Sequence, residues 1–205
     1  MTTIYTTDFV ITPGATYKFK VEARNSVGYS DFSNTVVIQA VQVPDTPDAP
    51  VVEKAGTETV VSWVAPYHGG SAITSYIVSF LKSDGSFTTS PTYCIHNDAT
   101  MISEASCSVP SSHFVGSPFN LEWGDQVFAK IIASNWRGSS PESGVSNGVV
   151  ILSVPDAPIN LVNVPAITDG TTIGIEWEIG VEEGGTSVLD YRVSYDEGIG
   201  NEVVV

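Results

Sequence analysis

A repeat with a period of about 110 residues is the feature that most constrains the fold of this chain. The tetrapeptide Pro-Asp-Ala-Pro occurs at 47–50 and again at 155–158. The sequence that follows each copy repeats as well, since Gly-Gly-Ser-Ala-Ile-Thr-Ser-Tyr at 69–76 resembles Gly-Gly-Thr-Ser-Val-Leu-Asp-Tyr at 184–191. A repeat of this length indicates similar domains arranged in tandem. Because proline fixes φ and lacks an N–H donor, the Pro-rich segments are expected to be stiff joints between them.

The segments that precede the two joints are also related, which fixes the order of the domains. Ala-Arg-Asn-Ser-Val-Gly-Tyr-Ser at 23–30 resembles Ala-Ser-Asn-Trp-Arg-Gly-Ser-Ser at 133–140. We therefore predict the late strands of one domain at 1–43, a complete domain at 44–154, and the early strands of another at 155–205. The two ends are complementary halves of one domain.

Alternation of apolar and polar residues predicts an all-β chain. Tyr17, Phe19, Val21 and Ala23 alternate with charged residues, and Tyr191, Val193 and Tyr195 alternate in the same way. A period of two is typical of half-buried strands. No amphipathic helix of useful length is visible.

The two sets of motifs resemble fibronectin type III domains, which are immunoglobulin-like β-sandwiches. The early signature places a tryptophan on the second strand and Tyr-x-Val-x-Tyr on the third, as in Trp177 followed by the strand 191–195. The late signature is Pro-Gly-x-Thr-Tyr-x-Phe-x-Val-x-Ala-x-Asn-x-x-Gly-x-Ser, which begins here at Pro13. The resemblance covers essentially the whole chain and implies tandem immunoglobulin-like sandwiches. It also implies that Tyr17 forms the tyrosine corner of its sandwich.

The central domain departs from this pattern. Val127 stands where the corner tyrosine is expected, and an insert of roughly residues 83–120 carries Cys94 and Cys107. The chain thus alternates two domain types, as in long extracellular repeat arrays.

Cys94 and Cys107 are the only cysteines of the chain and lie in this loop-rich insert. In an all-β chain we interpret them as a disulfide, which fits an oxidising compartment. The alternative is two free buried thiols in a cytosolic protein. A zinc site is disfavoured because the sequence has no paired Cys-x-x-Cys.

Polar and aromatic residues outside the strands are candidates for other sites. His96, Asp98 and Glu104 share the insert, but an exposed polar loop is favoured over a metal site. No catalytic triad, cofactor motif or metal site is predicted.

Trp136 and Arg137 lie in the loop where the fibronectin family can carry Arg-Gly-Asp, but Ser139 replaces the acid, so that adhesion motif is not carried over. Trp136 is either a contact residue or half-buried at the base of the loop. Phe114 is a second candidate exposed aromatic, and Trp123 is predicted to be in the core.

The net charge of −15 disfavours nucleic acid and anionic membranes as partners. The charge is uneven, with net 0 over 1–42, −6 over 43–154 and −9 over 155–205.

No apolar run is long enough for a membrane span. Met1 is followed directly by strand-like sequence, so the native N-terminus is expected elsewhere. Ser/Thr-rich loops leave O-linked glycan open.

Each end segment presents apolar residues that have no partner in its own sequence, and we expect the two sets to form one composite core between repeats. The set in the early strands includes Ile173 and Ile175, and that in the late strands includes Phe9, Ile11, Val36 and Ile38. The remaining inter-repeat core residues are Tyr17, Phe19, Val21, Trp177, Tyr191, Val193 and Tyr195.

These features predict a structural repeat of an extracellular fibril, stalk or surface coat, which assembles head-to-tail with copies of itself or adjacent repeats. The alternatives are a protein- or carbohydrate-binding adhesion ectodomain and a spacer module of a secreted enzyme. Exposed aromatics on one sheet face would favour the adhesion ectodomain, whereas a catalytic domain in the parent chain would favour the spacer.

Overall fold

The computed structural model describes residues 3–6, 10–196 and 203–204. Its elements in chain order are β1 (Thr16–Phe19), β2 (Val36–Gln39), β3 (Val51–Ala55), β4 (Glu58–Ser62), β5 (Ser75–Leu81), β6 (Phe87–Thr89), α1 (Ala99–Glu104), β7 (Ser106–Pro110), a 3₁₀ helix (Ser111–Phe114), β8 (Gln126–Val127), β9 (Ala129–Asn135), β10 (Gly138–Ser139), β11 (Val149–Val150), β12 (Ile159–Asn163), β13 (Ile175–Glu178), β14 (Ser194–Tyr195) and β15 (Val203–Val204).

The central part of the chain forms a β-sandwich of three and four strands. One sheet has the order β3-β4-β7 and the other β10-β9-β5-β6, with every neighbouring pair antiparallel. Burial alternates residue by residue along β5 and β9, because successive side chains of a strand point to opposite faces. Both sheets contribute to one core, whose largest fully buried side chains include Tyr76, Phe80, Phe114, Phe119 and Ile131. The prediction of an all-β chain with immunoglobulin-like sandwiches is confirmed.

The predicted insert at 83–120 is more regular than its sequence indicates. It contains β7, an integral strand of the three-stranded sheet, on which Cys107 lies opposite Val61 of β4. A six-residue helix, α1, precedes this strand and buries Met101 in the core. The interpretation of the segment as loop-rich is therefore wrong for 99–114.

The two end segments form single layers. The N-terminal segment is the hairpin of β1 and β2, in which Tyr17 lies opposite Ile38. The C-terminal segment contains the pairs β12–β13 and β14–β15. Within the described residues, neither segment is covered by a second sheet. None of the helices described is long and apolar enough to cross a membrane.

Candidate assembly interface

Among the described residues of the N-terminal segment, nothing covers the inner side of the hairpin. This open N-terminal face lines a wide apolar cleft formed by Tyr5, Ile11, Tyr17, Phe19, Val21 and Ile38. Val21 is 70% exposed and Ile38 is 51% exposed. Phe9, which the sequence assigns to the same set, lies outside the described residues. An apolar patch of this extent on a soluble protein typically marks an interaction site.

The C-terminal segment presents a second apolar surface, the open C-terminal face. It consists of Trp177, Tyr191, Val193 and Tyr195, and it borders a shallow cleft with Ile175 and Leu161. The Trp177 and Tyr191 rings meet edge to face with their centroids 5.3 Å apart. The same pair occurs in the central sandwich, where the Trp63 and Tyr76 centroids are 5.0 Å apart.

Burial of corresponding residues differs sharply between the central sandwich and the end segments. Tyr76 is 1% exposed, whereas its counterpart Tyr191 is 44% exposed. Ile131 is fully buried, whereas its counterpart Val21 is not. Over the residues that the structure describes, the end segments therefore have the local geometry of a sandwich without the facing layer that covers it.

A tyrosine corner holds the start of the N-terminal hairpin. The Tyr17 hydroxyl accepts a hydrogen bond from the backbone N–H of Thr12 at 2.9 Å. The predicted corner is thus present, and it fixes the turn that leads into β1. In the central sandwich the corresponding Val127 is fully buried and can make no such bond.

Serine side chains replace part of the regular ladder beside β9. Ser140, Ser143 and Ser146 each donate their backbone N–H to a β9 carbonyl, at distances of 2.8–3.0 Å. Their hydroxyls accept hydrogen bonds from the β9 backbone, which come from the N–H groups of Ala133, Ile131 and Ala129, respectively. This serine ladder satisfies alternate backbone groups of β9, and the chain from 140 to 146 advances three residues for every two residues of β9.

The N-terminal segment carries the same serine ladder in shorter form. Ser30 and Ser33 donate their backbone N–H to Ala23 and Val21, and their hydroxyls accept from the same two residues. These bonds are exposed, whereas those at Ala129, Ile131 and Ala133 are buried. The N-terminal hairpin is therefore already organised as the last strands of a sandwich.

Both Pro-rich joints have one hydrogen-bond pattern. At the first joint, Gln42 N–H donates to the Gly69 carbonyl at 2.9 Å and Asp45 N–H donates to Tyr67. At the second joint, Ser153 N–H donates to Gly184 at 2.9 Å and Asp156 N–H donates to Glu182. The repetition of these bonds gives each domain a fixed contact with the segment before it.

Close backbone approach explains the Gly-Gly turn at each joint. A Cβ on Gly69 would lie 2.4 Å from the Gln42 carbonyl oxygen, and one on Gly184 would lie 2.4 Å from that of Ser153. Both glycines also have positive φ, at +68° and +75°. A side chain at either position would push the joint apart.

The structure contains the predicted disulfide between Cys94 and Cys107, with their Cα atoms 5.5 Å apart. It ties the loop after β6 to the edge strand β7. No group of His, Cys, Asp or Glu that could hold a metal ion occurs among the described residues. Asp98 instead caps α1, because its carboxylate accepts a hydrogen bond from the Met101 N–H at 2.9 Å.

The aromatic candidates have different environments. Trp136 is 69% exposed beside the exposed Arg137, at the tip of the β9–β10 turn. Phe114 is fully buried, so its interpretation as an exposed aromatic is wrong. The 3₁₀ helix turns its side chain against Phe80 and Phe119. Trp123 is half-buried and packs against the edge of the core.

Comparison with known proteins supports the same fold. The chain is 25% identical to the cell adhesion molecule Dscam1 of Drosophila melanogaster over 86% of its length, and covers 8% of that protein. It is 31% identical to the striated-muscle M-protein of Gallus gallus over 75% of its length, and covers 10% of that protein. The chain thus spans about a tenth of the length of these relatives. No family model matches it.

Two solved structures show lower similarity. A crystal structure of titin domains is 23% identical with a TM-score of 0.45, and the match covers 68% of this chain and 42% of the titin chain. The twitchin kinase region of C. elegans is 23% identical with a TM-score of 0.40, and the match covers 53% and 17% of the respective chains. The three-plus-four strand order gives the central part of the chain the immunoglobulin-like sandwich fold. The tyrosine corner and the repeated joints agree with the resemblance of the chain to tandem fibronectin type III domains.

Proposed function

We propose that this chain is a structural repeat unit, which assembles head-to-tail through composite β-sandwiches. In each composite, the open N-terminal face of one unit covers the open C-terminal face of its neighbour. The neighbour is another copy of this sequence, either continuous with the first or separate from it. The 44% exposure of Tyr191, against 1% for its counterpart Tyr76, is the observation that carries the proposal.

The energetics favour covering both faces. Burying a large apolar side chain contributes roughly 1.5–3 kcal/mol, and each face presents several such residues. The joints add a mechanical property, because the repeated hydrogen bonds set the angle between successive domains. We infer an extended, load-carrying array rather than an enzyme.

An extracellular or surface location accompanies this proposal. A disulfide in a small β-sandwich domain persists in oxidising environments. Dscam1, to which the chain is similar, is a cell adhesion molecule. A fibril, stalk or surface coat is consistent with both observations.

Sedimentation velocity of chain 1–205 over a range of concentrations tests the assembly. The wild-type chain is expected to form linear oligomers, and Val21→Asp to abolish them by placing a charge on the open N-terminal face. Val27→Asp is the matched control, because Val27 is 94% exposed in a turn away from that face. A monomeric wild-type chain, or a Val21→Asp chain that assembles like the control, would refute the proposal.

Adhesion is the second candidate function, and the exposure of Trp136 favours it. An exposed tryptophan beside Arg137 has the composition of an interaction hot spot or a sugar-stacking platform. Binding of Trp136→Ala and wild-type chains to a glycan array separates the candidates. Tryptophan-dependent binding would support adhesion, whereas equal signals from both chains would argue against it.

A further inference from the structure

We propose that the composite sandwich forms in one register, selected by two opposite-charge pairs that the central sandwich lacks. This inference rests on the proposed function and specifies the partner surface. The partner of the strand that continues β1, residues 19–24, is the segment 190–195 of a second copy of this sequence.

The register follows from the central sandwich, which contains both halves. There β5 and β9 pair antiparallel, with Ser75 opposite Ser134, Tyr76 opposite Ala133 and so on to Phe80 opposite Ala129. The repeat relates β9 to residues 19–24 and β5 to residues 190–195. The matching edge-to-face aromatic pairs support the second equivalence, and the shared serine ladder supports the first.

Transferring this register pairs apolar residues on the inner side of the sheet. Tyr191 then lies opposite Ala23, Val193 opposite Val21, and Tyr195 opposite Phe19. All of these residues except Ala23 belong to the two open faces described above.

The outer side of the same strands pairs opposite charges. Asp190 lies opposite Arg24, and Arg192 lies opposite Glu22. In the central sandwich the corresponding pairs are Ser75 with Ser134 and Ile77 with Ile132, which are uncharged. Opposite charges directly across a strand pair stabilise it, and like charges destabilise it. The charges therefore favour the composite over an exchange with the strands of the central sandwich.

The side-chain amide of Asn25 provides independent support for the same register. In the central sandwich, Asn135 Nδ2 donates to the carbonyls of Gln42 and His68 at 2.8 and 2.9 Å, which joins the last turn to the preceding joint. Asn25 is its counterpart, and its Oδ1 already accepts the turn N–H groups of Val27 and Gly28. The register places Asn25 Nδ2 at the neighbour's counterparts of Gln42 and His68, which are Ser153 and Glu183.

A charge-reversal cycle on chain 1–205 tests the register. Arg24→Asp sets two carboxylates opposite each other and is expected to weaken association about fivefold, as for a lost cross-strand pair of about 1 kcal/mol. Adding Asp190→Arg to the same chain restores an opposite-charge pair at every junction, so association is expected to return to within about twofold of the wild type. Lys54→Asp is the matched control, with the same change in net charge at an exposed position of β3 in the central sandwich.

The outcomes separate this inference from the proposed function. Rescue in the double variant, together with wild-type association of the Lys54→Asp control, supports the register. If wild-type chains assemble but the double variant is as weak as Arg24→Asp, the register is wrong while head-to-tail assembly stands. If wild-type chains do not associate at all, both proposals are overturned.

Discussion

Replacing Ser143 by alanine tests whether the serine ladder stabilises the central sandwich. The Ser143 hydroxyl accepts the Ile131 N–H at 2.9 Å and donates to the Gly144 carbonyl. Ile131 is fully buried, so no water can replace the lost acceptor. A buried donor left without a partner costs about 1–3 kcal/mol. We expect Ser143→Ala to lower the free energy of unfolding by that amount.

An internal control comes from the repeat itself. The Ser33 hydroxyl accepts the Val21 N–H at 3.0 Å with the same geometry, but the bond is exposed. Water can satisfy that N–H, so Ser33→Ala is expected to cost less than about 0.5 kcal/mol in the dissociated chain.

Urea unfolding at low protein concentration, followed by circular dichroism, measures both variants. The slope of free energy against urea concentration should be unchanged, because the surface exposed on unfolding is the same. Equal losses for Ser143→Ala and Ser33→Ala would refute the reasoning from burial.

Three further predictions concern the disulfide, the joint and the core. Replacing Cys94 and Cys107 together by serine should cost about 3 kcal/mol relative to the disulfide-bonded chain, as for a loop of this length. Chemical denaturation of the variant and of the oxidised wild type checks the value, and no loss would contradict it. Gly69→Ala should open the first joint because its Cβ would clash with a carbonyl of the linker, whereas the control Gly56→Ala has a similar positive φ and no atom within 4 Å of its Cβ. Small-angle scattering should show a larger change in maximum dimension for Gly69→Ala than for Gly56→Ala, and equal profiles would contradict the prediction. Burial raises the pKa of Tyr76 above its usual value of 10.0, so the neutral phenol contributes to stability below about pH 10 and this contribution is lost as pH rises further. Between pH 8 and 11 the melting temperature of Tyr76→Phe should therefore fall less steeply than that of the wild type, and identical slopes would argue against the prediction.

Sequence periodicity predicted the sheets where strands alternate strictly. The resemblance of the motif around Tyr17 to fibronectin type III domains implied the tyrosine corner, and the isolated pair Cys94 and Cys107 predicted the disulfide. Both signals lie in short stretches of residues that a single sequence displays.

Features that depend on tertiary pairing could not be predicted from the sequence alone. Strand β7 is short and follows a six-residue helix, so its pairing with β4 has no signature in its own residues. The serines of the ladder are three residues apart, whereas side chains in a strand alternate every two residues. This spacing is typical of an irregular loop and gave no strand prediction. Phe114 looked exposed because its polar neighbours Ser111, Ser112 and His113 conceal that the 3₁₀ helix turns it into the core.

A cryo-EM map of assembled chain 1–205 at side-chain resolution would show whether the composite sandwich forms. We expect Trp177 of one copy to pack against Tyr17 or Phe19 of the next, with Tyr191 opposite Ala23 across an antiparallel strand pair. If Trp177 and Tyr17 stay exposed in the assembly, or contact each other only within one copy, the composite sandwich is contradicted.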